Sequence, residues 1–536
     1  MPRTSSWLPV IALATVLLWG VLWWPYTVDD SYITYRYAQN TALGQGAVFN
    51  AGERVEGYSS PAWMFLLAGA AWIGANPVLV SKLLGLGAAL ALVALLPAAL
   101  RRAGCDPTLA GLAALVLATT PTLHVYSVSG METVWFALAV AIAALMPAVA
   151  GSERARAWLA GAGLIGLTLM RPEGGLAAVV LTLCWLALYR TRALRVAVAL
   201  AWLVIAGHLA WRTGYYGAIV PNTFVAKPSP IIREFAVGHP GFAAFKLFRS
   251  VEDNLMPALN ESGGTAAVLL ALAALALAGS VPGVWPAALV AVAGFTFVVY
   301  ARSDWMLGSR FGFPFFAPLL FLAAVGADAV RQRLDRPHPG AAGRAATLTA
   351  FAAVSLWCVW STVQTAEYLS RHGEGTVNTA MDAEVYERIG RWLHDKARPG
   401  DRLLAYEVGA VAYASGMHII DQHGLVTPQV AKIVQWAEGD FREIRIGKDR
   451  ETMQRIVQWC ADQKPEWFLV RAVRALELTV GEPLPAGAAM DAMQNALLER
   501  FGDTMVFAEA FAMRPDSRGW KDDRYLVLKK REAPAP

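Results

Sequence analysis

Apolar runs close to 18 residues long recur along the chain, and no other feature constrains its fold as much. They fall near residues 7–24, 77–100, 107–121, 131–150, 157–170, 174–189, 194–210, 264–280, 283–300, 314–330 and 345–362. A run of that length is what an α-helix needs to cross a hydrocarbon core about 30 Å thick. A further run, 61–73, covers only about 20 Å at 1.5 Å per residue and is expected to lie in the interface or to re-enter it. Composition agrees with a polytopic membrane protein. The chain is 56% hydrophobic and 16% charged, with a mean hydropathy of +0.41, where a soluble protein would carry about 25% charge. Twenty tryptophans suit interfacial belts.

The basic loops orient the spans. With eleven spans and a cytoplasmic N-terminus, Arg101-Arg102, "GSERAR" (151–156), "RTRALR" (190–195) and "RQRLDRPHPGAAGR" (331–344) all face the cytoplasm, as the positive-inside rule expects. Counting 61–73 as a span puts the first of these outside. No A-x-A site follows the first run, which reads as an uncleaved span. The net charge of +5 is then a matter of topology, with no surface for nucleic acid. The expected location is a bacterial inner membrane, with a long first outer loop (25–76) holding interfacial helices.

From residue 363 to 536 the chain becomes charged and soluble in character. "AEVYERIGRWLHDKARPGD" predicts an amphipathic helix ended by Pro-Gly. "RLLAYEV", "HIID", "PEWFLV" and "RYLVLKK" predict strands, so an extracytoplasmic α/β domain is expected. Of the four cysteines only Cys460 falls in it, which argues against a disulfide framework.

This topology collects the polar motifs on one side. "TVDDSYITYRYAQN" (27–40) leaves the first span with adjacent carboxylates, Asp29 and Asp30, and Asp29, Ile33, Arg36 and Asn40 share a helical face. Two close carboxylates in partly apolar surroundings take different proton affinities, as a general base and its partner require. The same outer face carries Glu53, Arg54 and Glu56 before "GYSSPAW", Glu132 in "SGMET", Arg171 and Glu173 in "RPEG", Lys227 after "YYGAIVPNTFVA", and Arg302, Asp304 and Arg310 around Trp305. Each has a structural alternative: a helix-cap carboxylate for Glu132, a mutual ion pair for Arg171 and Glu173, snorkelling cations for Arg302 and Arg310. Asp421 and His423 in "HIIDQHGL" suit a strand-end turn equally well. H-x-x-x-H, C-x-x-C and Walker patterns are missing, so neither a metal nor a nucleotide cofactor is expected.

The stretch "VDDSYITYRYAQN" followed by "VFNAGERVEGYSSP" resembles the start of the polyprenyl-phosphate-dependent arabinofuranosyltransferases, terminal β-(1→2) arabinofuranosyltransferase-like members of the C-type glycosyltransferase superfamily. "SGMET", "RPEG", "YYG…PNT…AK", "DWM…RF" and "EVGAVAY…IIDQHGL" are similar to that family in the same order, over nearly the whole chain. The resemblance implies a polytopic helical fold, with Asp29 or Asp30 as the catalytic carboxylate. It implies a polyprenyl-phosphate-linked sugar as donor, a cell-envelope glycan or glycoprotein as acceptor, and the lipid bilayer around the spans. A carboxylate can take the proton of an acceptor hydroxyl, and Arg36, Arg171, Lys227, Arg302 or Arg310 can hold the leaving phosphate. Tyr32, Tyr35, Tyr58 and Trp63 offer rings and hydroxyls to sugars, with Asp421 and His423 as further contacts. Two other classes compete. A transporter would place ionisable residues at mid-membrane in repeated halves, and no repeat is visible. A non-catalytic envelope or motility factor would leave surface glycans unchanged when removed.

Overall fold

The computed structural model describes residues 7–236, 238–301, 304, 306–336, 341–373, 383–435, 437, 441–472, 478–485, 487–512 and 524–531. Each of the eleven long apolar runs lies on a helix. In order, α1 is Leu8–Leu22, α2 Asp29–Ala42, α3 Pro61–Trp72, α4 Pro77–Arg102, α5 Pro107–Ala118, α6 Pro121–Val128, α7 Thr133–Val149, α8 Glu153–Met170, α9 Gly174–Leu188 and α10 Arg192–Tyr216. Short helices follow, α11 (Asn222–Ala226), α12 (Pro230–Ala236), α13 (Pro240–Ser250) and α14 (Met256–Glu261), before α15 (Gly264–Ala278), α16 (Val284–Tyr300), α17 (Phe316–Asp335) and α18 (Ala341–Gly373).

Local sequence sets these boundaries. Asn76 caps α4 by accepting from Val78 N and Leu79 N, and Asp106 caps α5 in the same way. Both helices carry proline at their first position, where its missing N–H costs nothing. The basic loop "GSERAR", expected outside the span, is instead the first turn of α8, because Ser152 accepts from Ala155 N and starts the helix there. Likewise α18 runs past residue 362 to Gly373. Among the described residues, four helices are long and apolar enough to cross a membrane unaided. They are Pro77–Arg102, Arg192–Tyr216, Phe313–Asp335 and Ala345–Ser370. Two bent pairs, α5 with α6 (60°) and Pro240–Glu261 with α15 (75°), raise the number to six, and five shorter apolar helices accompany them.

The remainder is α/β. Helix α19 (Ala383–Lys396) leads to β1 (Arg402–Ala405), α20 (Ala410–Ser415), β2 (His418–Asp421), α21 (Pro428–Gln435), α22 (Phe441–Arg445), α23 (Arg450–Asp462), β3 (Trp467–Ala472), α24 (Ala492–Phe501), β4 (Met505–Ala512) and β5 (Arg524–Lys530). The sheet order is β2-β1-β3-β5-β4. β1 pairs in parallel with β2 and β3, and β5 runs antiparallel to β3 and β4. Four of these strands sit where the sequence predicts them; β4 is additional. Its residues "MVFAEAFA" alternate only weakly, and it lies at the sheet edge half-exposed.

The β2 edge is covered by the first loop of the helical part. Asn50 Nδ2 donates to Ile419 O at 2.9 Å, and Ile419 N donates to Asn50 Oδ1 at 3.0 Å. One side-chain amide thus does the work of a neighbouring strand on an edge that would otherwise present free backbone groups. Arg36 adds to the brace. Its Nη2 donates to Gly416 O and Met417 O, and its Nε to Phe49 O. All four cysteines are free thiols.

Candidate active site

The site is built around the first turn of α2. Val28 is extended and Asp29 is helical, so the two carboxylates open a helix, where its dipole favours negative charge. The approach from α1 is fixed from below: Lys82 Nζ on α4 donates to Trp24 O at 2.8 Å and to Tyr26 O at 2.5 Å. It is fixed laterally too, because Val28 N donates to Ser129 O at 3.1 Å. Next to that contact is Gly130, with φ +90, and a Cβ there would collide with the Tyr35 hydroxyl and Ser31 Oγ. The "SGMET" glycine is therefore a packing requirement of α2.

The adjacent carboxylates have different surroundings. Asp29 is buried, accepting from Ala410 N at 2.7 Å on Oδ1 and from Gly409 N at 3.1 Å on Oδ2. It tethers α2 to the start of α20, and Gly409 must lack a side chain because a Cβ would fall on Asp29. Burial, then the nearby Glu407 charge, raises the Asp29 carboxyl well above its usual range, against the pull of the two N–H donors. Asp30 is half-buried and makes no hydrogen bond or ion pair among the described residues. It lies within electrostatic range of Arg310 and of Glu407.

Beyond Asp30 lies a cluster of charge. Arg171, extended between α8 and α9, bonds Glu132 at 2.5 Å and also pairs with Glu173. Its guanidinium is 5.5 Å from the ring centre of Phe311, and that of Arg310 is 4.8 Å from the same ring. Two cations thus flank one phenyl. Arg310 Nε is 2.7 Å from Asp304 Oδ2, and its field also reaches Glu132. The loop carrying it is pinned by Ser309 N, which donates to Thr122 Oγ1 and Glu261 Oε2, and by Tyr126, whose hydroxyl donates to Leu307 O. Lys227, at the end of α11, is half-buried, and its side chain makes no hydrogen bond or ion pair among the described residues. Arg302 and Trp305 lie outside the described residues.

Other predicted residues are engaged in holding the fold. The Tyr32 hydroxyl donates to Glu387 Oε1 on α19 at 2.9 Å, and that of Tyr35 meets Ser81 Oγ at 2.6 Å. Tyr58 meets the Tyr216 hydroxyl at 3.0 Å, and Trp63 Nε1 donates to Gly130 O at 3.1 Å. Glu53 bonds Asn50 and approaches His418, while Arg54 covers the Tyr215 ring. Glu56 is buried against Arg212 at 2.9 Å. Asp421 accepts from His423 N at 2.7 Å and Val426 N at 3.0 Å, which shapes its turn, and the rings of His423, Tyr406 and Phe441 lie nearly parallel in one cluster. Asn222 of "PNT" ties the same turn to the first loop, donating through Nδ2 to Gly424 O and Leu425 O. Sequence reasoning passed over Lys82, Asn50 and Glu407; Glu407 stands in "EVGAVAY", whose single acid was the available signal. Among the described residues no three His, Cys, Asp or Glu side chains are placed to hold a metal ion.

A helical membrane part, an acidic helix α2 after the first apolar helix and a small C-terminal sheet together make the C-type glycosyltransferase fold, and this chain has it. Over its whole length it is similar to ArnT from Cupriavidus metallidurans solved with undecaprenyl phosphate, covering all of that chain at a TM-score of 0.52 and 12% identity. It is similar also to the arabinofuranosyltransferase AftD from Mycobacteria, at a TM-score of 0.51 and 16% identity over 100% of this chain and 40% of AftD. In sequence it is 32% identical over 253 residues to a terminal β-(1→2)-arabinofuranosyltransferase of Mycobacterium tuberculosis (strain ATCC 25618 / H37Rv). That stretch is 42% of this chain and spans 39% of the relative's length. Residues 376–521 match a domain of unknown function (DUF8728). The resemblance read from the motifs is thus borne out by an arabinofuranosyltransferase homologue and by the fold, which together support a membrane glycosyltransferase.

Proposed function

We propose that this protein moves a sugar, a pentofuranose such as arabinofuranose, from a polyprenyl-phosphate donor to a cell-envelope glycan or glycoprotein on the extracytoplasmic face. The observation that carries the proposal is Asp30: a carboxylate in the first turn of α2, its side chain without a hydrogen bond or ion pair among the described residues and within electrostatic range of Arg310. Asp30 takes the proton of the acceptor hydroxyl as its oxygen attacks the anomeric carbon. The bond from that carbon to the phosphate oxygen breaks, and Arg310, Arg171 and Lys227 hold the charge that develops on the lipid phosphate. A monophosphate leaving group can be stabilised by these cations alone. The similarity to a structure solved with undecaprenyl phosphate supports this donor class, and the arabinofuranosyltransferase homologue supports the pentofuranose.

The test is transfer by the purified full chain in nanodiscs, supplied with a synthetic polyprenyl-phosphoryl arabinofuranose and an arabinan oligosaccharide and read by mass spectrometry. One added pentose, lost in Asp30→Asn, is expected. A wild-type protein that leaves every polyprenyl-phosphate sugar intact overturns the reading.

A further inference from the structure

The chain leaves β1 for β2 on one side and comes back to β3 on the other, so the strand order reverses between β1 and β3. In open α/β sheets, ligands bind outside the carboxyl ends of the strands at such a reversal. A cleft lies there, lined by Glu407 after β1, Leu469 and Arg471 of β3, Tyr525 of β5, Arg445 of α22 and Asp491 at the N-cap of α24. Its enclosed part holds about 20 Å³, room for one water-sized group. With its mouth it reaches about 320 Å³, the size of a small-ligand pocket. Strand register builds the floor. Leu403 of β1 is opposite Trp467 of β3, and that register, carried four residues on, sets Glu407 opposite Arg471. Tyr525 is opposite Arg471 on the other side. The three side chains thus form one row across three strands, on the same face as Leu469. Leu469 and Tyr525 belong to the core shared with Tyr32 and Ile33 of α2, so this floor faces the helical part. Glu407 is also two residues before Gly409, whose N–H holds Asp29 at 3.1 Å.

The cleft has hydrogen-bonding capacity to spare. Arg445 Nε is buried without a hydrogen-bond partner among the described residues, 3.6 Å from Asp491 Oδ2. Its guanidinium is 4.8 Å from the centre of the Tyr406 ring, which fixes its place. Glu407 is half-buried, and its side chain makes no hydrogen bond or ion pair among the described residues. The charges select the ligand. Two carboxylates, Glu407 and Asp491, balance two guanidinium groups, Arg445 and Arg471, so an anion gains nothing net. The N–H groups that the turn after β1 could offer a phosphate, those of Gly409 and Ala410, are taken by Asp29. A neutral ligand with neighbouring hydroxyls gains twice, because a hydroxyl can donate to a carboxylate while its oxygen accepts from a guanidinium. We propose that this cleft binds a neutral saccharide unit of the acceptor glycan, one hydroxyl entering the enclosed part and the ring lying in the mouth.

This rests on the glycosyltransferase reading, and the experiment separates the two. Binding is measured by calorimetry on the full chain in nanodiscs, without donor. The probes are arabinan, mannan and glucan oligosaccharides, with an oligogalacturonate as the anionic control. The wild type and Asp30→Asn should bind a neutral oligosaccharide, and bind it more tightly than the oligogalacturonate. Glu407→Gln and Arg445→Lys should bind it about tenfold more weakly, with unfolding temperature recorded for each. In the wild type the bound oligosaccharide should slow hydrogen exchange in residues 405–410 and 469–472. A wild type that binds no neutral oligosaccharide, or binds one without slowing exchange there, overturns the cleft even if neither variant folds. Folded variants that both bind as tightly as the wild type do the same, and an oligogalacturonate bound equally tightly overturns the neutral class. Transfer is run in parallel: its absence with every polyprenyl-phosphate sugar sinks the functional reading, a result that saccharide binding in the cleft does not alter.

Discussion

Asp29 and Ala410 meet at 2.7 Å, carboxylate oxygen to backbone N–H, across 381 residues of sequence. That bond, with the one from Gly409, gives the adjacent aspartates different surroundings. Asp30→Asn should lower transfer by about 100- to 10,000-fold with normal abundance and unfolding temperature. Asp29→Asn keeps one acceptor for two donors and should cost about 1–3 kcal/mol of stability. Its readout is a lower unfolding temperature. Equal catalytic loss from both, with no stability change in either, would contradict this division.

Arg310 and Arg171 flank the same ring but differ in their bonds. Arg171 is held by two carboxylates, so Arg171→Met strands Glu132 in a buried place and should cost about 3–5 kcal/mol. Arg171→Gln combined with Glu132→Gln should recover much of it. Arg310→Gln should leave the protein folded and lower kcat by about 100- to 1,000-fold. Comparing unfolding temperature with single-turnover rate distinguishes the two arginines.

Asn50→Ala removes both bonds to Ile419 and uncovers β2. A loss of about 1–3 kcal/mol is expected, with a tendency to self-associate through the exposed edge. Light scattering against protein concentration checks the second effect. Monodisperse protein of unchanged stability would mean that the loop covers β2 without this amide.

Stability should fall as pH rises through neutrality. Burial raises Glu407 and Glu56 to about 7 and Asp421 to about 6, each against partners that pull it down. All three bind protons more tightly folded than unfolded. Their contribution is full below the unfolded carboxylate range and is lost through pH 6–7. Unfolding in nanodiscs should occur at higher temperature at pH 5.5 than at pH 8. The reverse order would show that other groups dominate.

The helices were legible because period and length decide them. Every long apolar run lies on a helix, and Asn76, Asp106 and Ser152 mark their starts in the sequence itself. The aspartate pair was legible from its place at a span end. What could not be read was the difference in surroundings between Asp29 and Asp30, because it is set by amides at Gly409 and Ala410, and no local pattern reports a contact that distant. The hydroxyl partners of the tyrosines were not legible for a related reason. Tyr32, Tyr35 and Tyr58 suggest sugar contacts when seen as a string, yet each hydroxyl is taken by Glu387, Ser81 or Tyr216. β4 was passed over because an edge strand buries too little to enforce alternation.

The tether at Asp29 also carries a consequence for biosynthesis. Helix α2 is made before the amide partners of Asp29, which come 380 and 381 residues later. At about 5–20 residues per second, roughly 20–75 seconds separate the two. During that interval the nascent chain has Asp29 and Asp30 side by side with nothing to tell them apart. A product stalled before Gly409 would have made the membrane helices and still lack the two amides that distinguish Asp29 from Asp30.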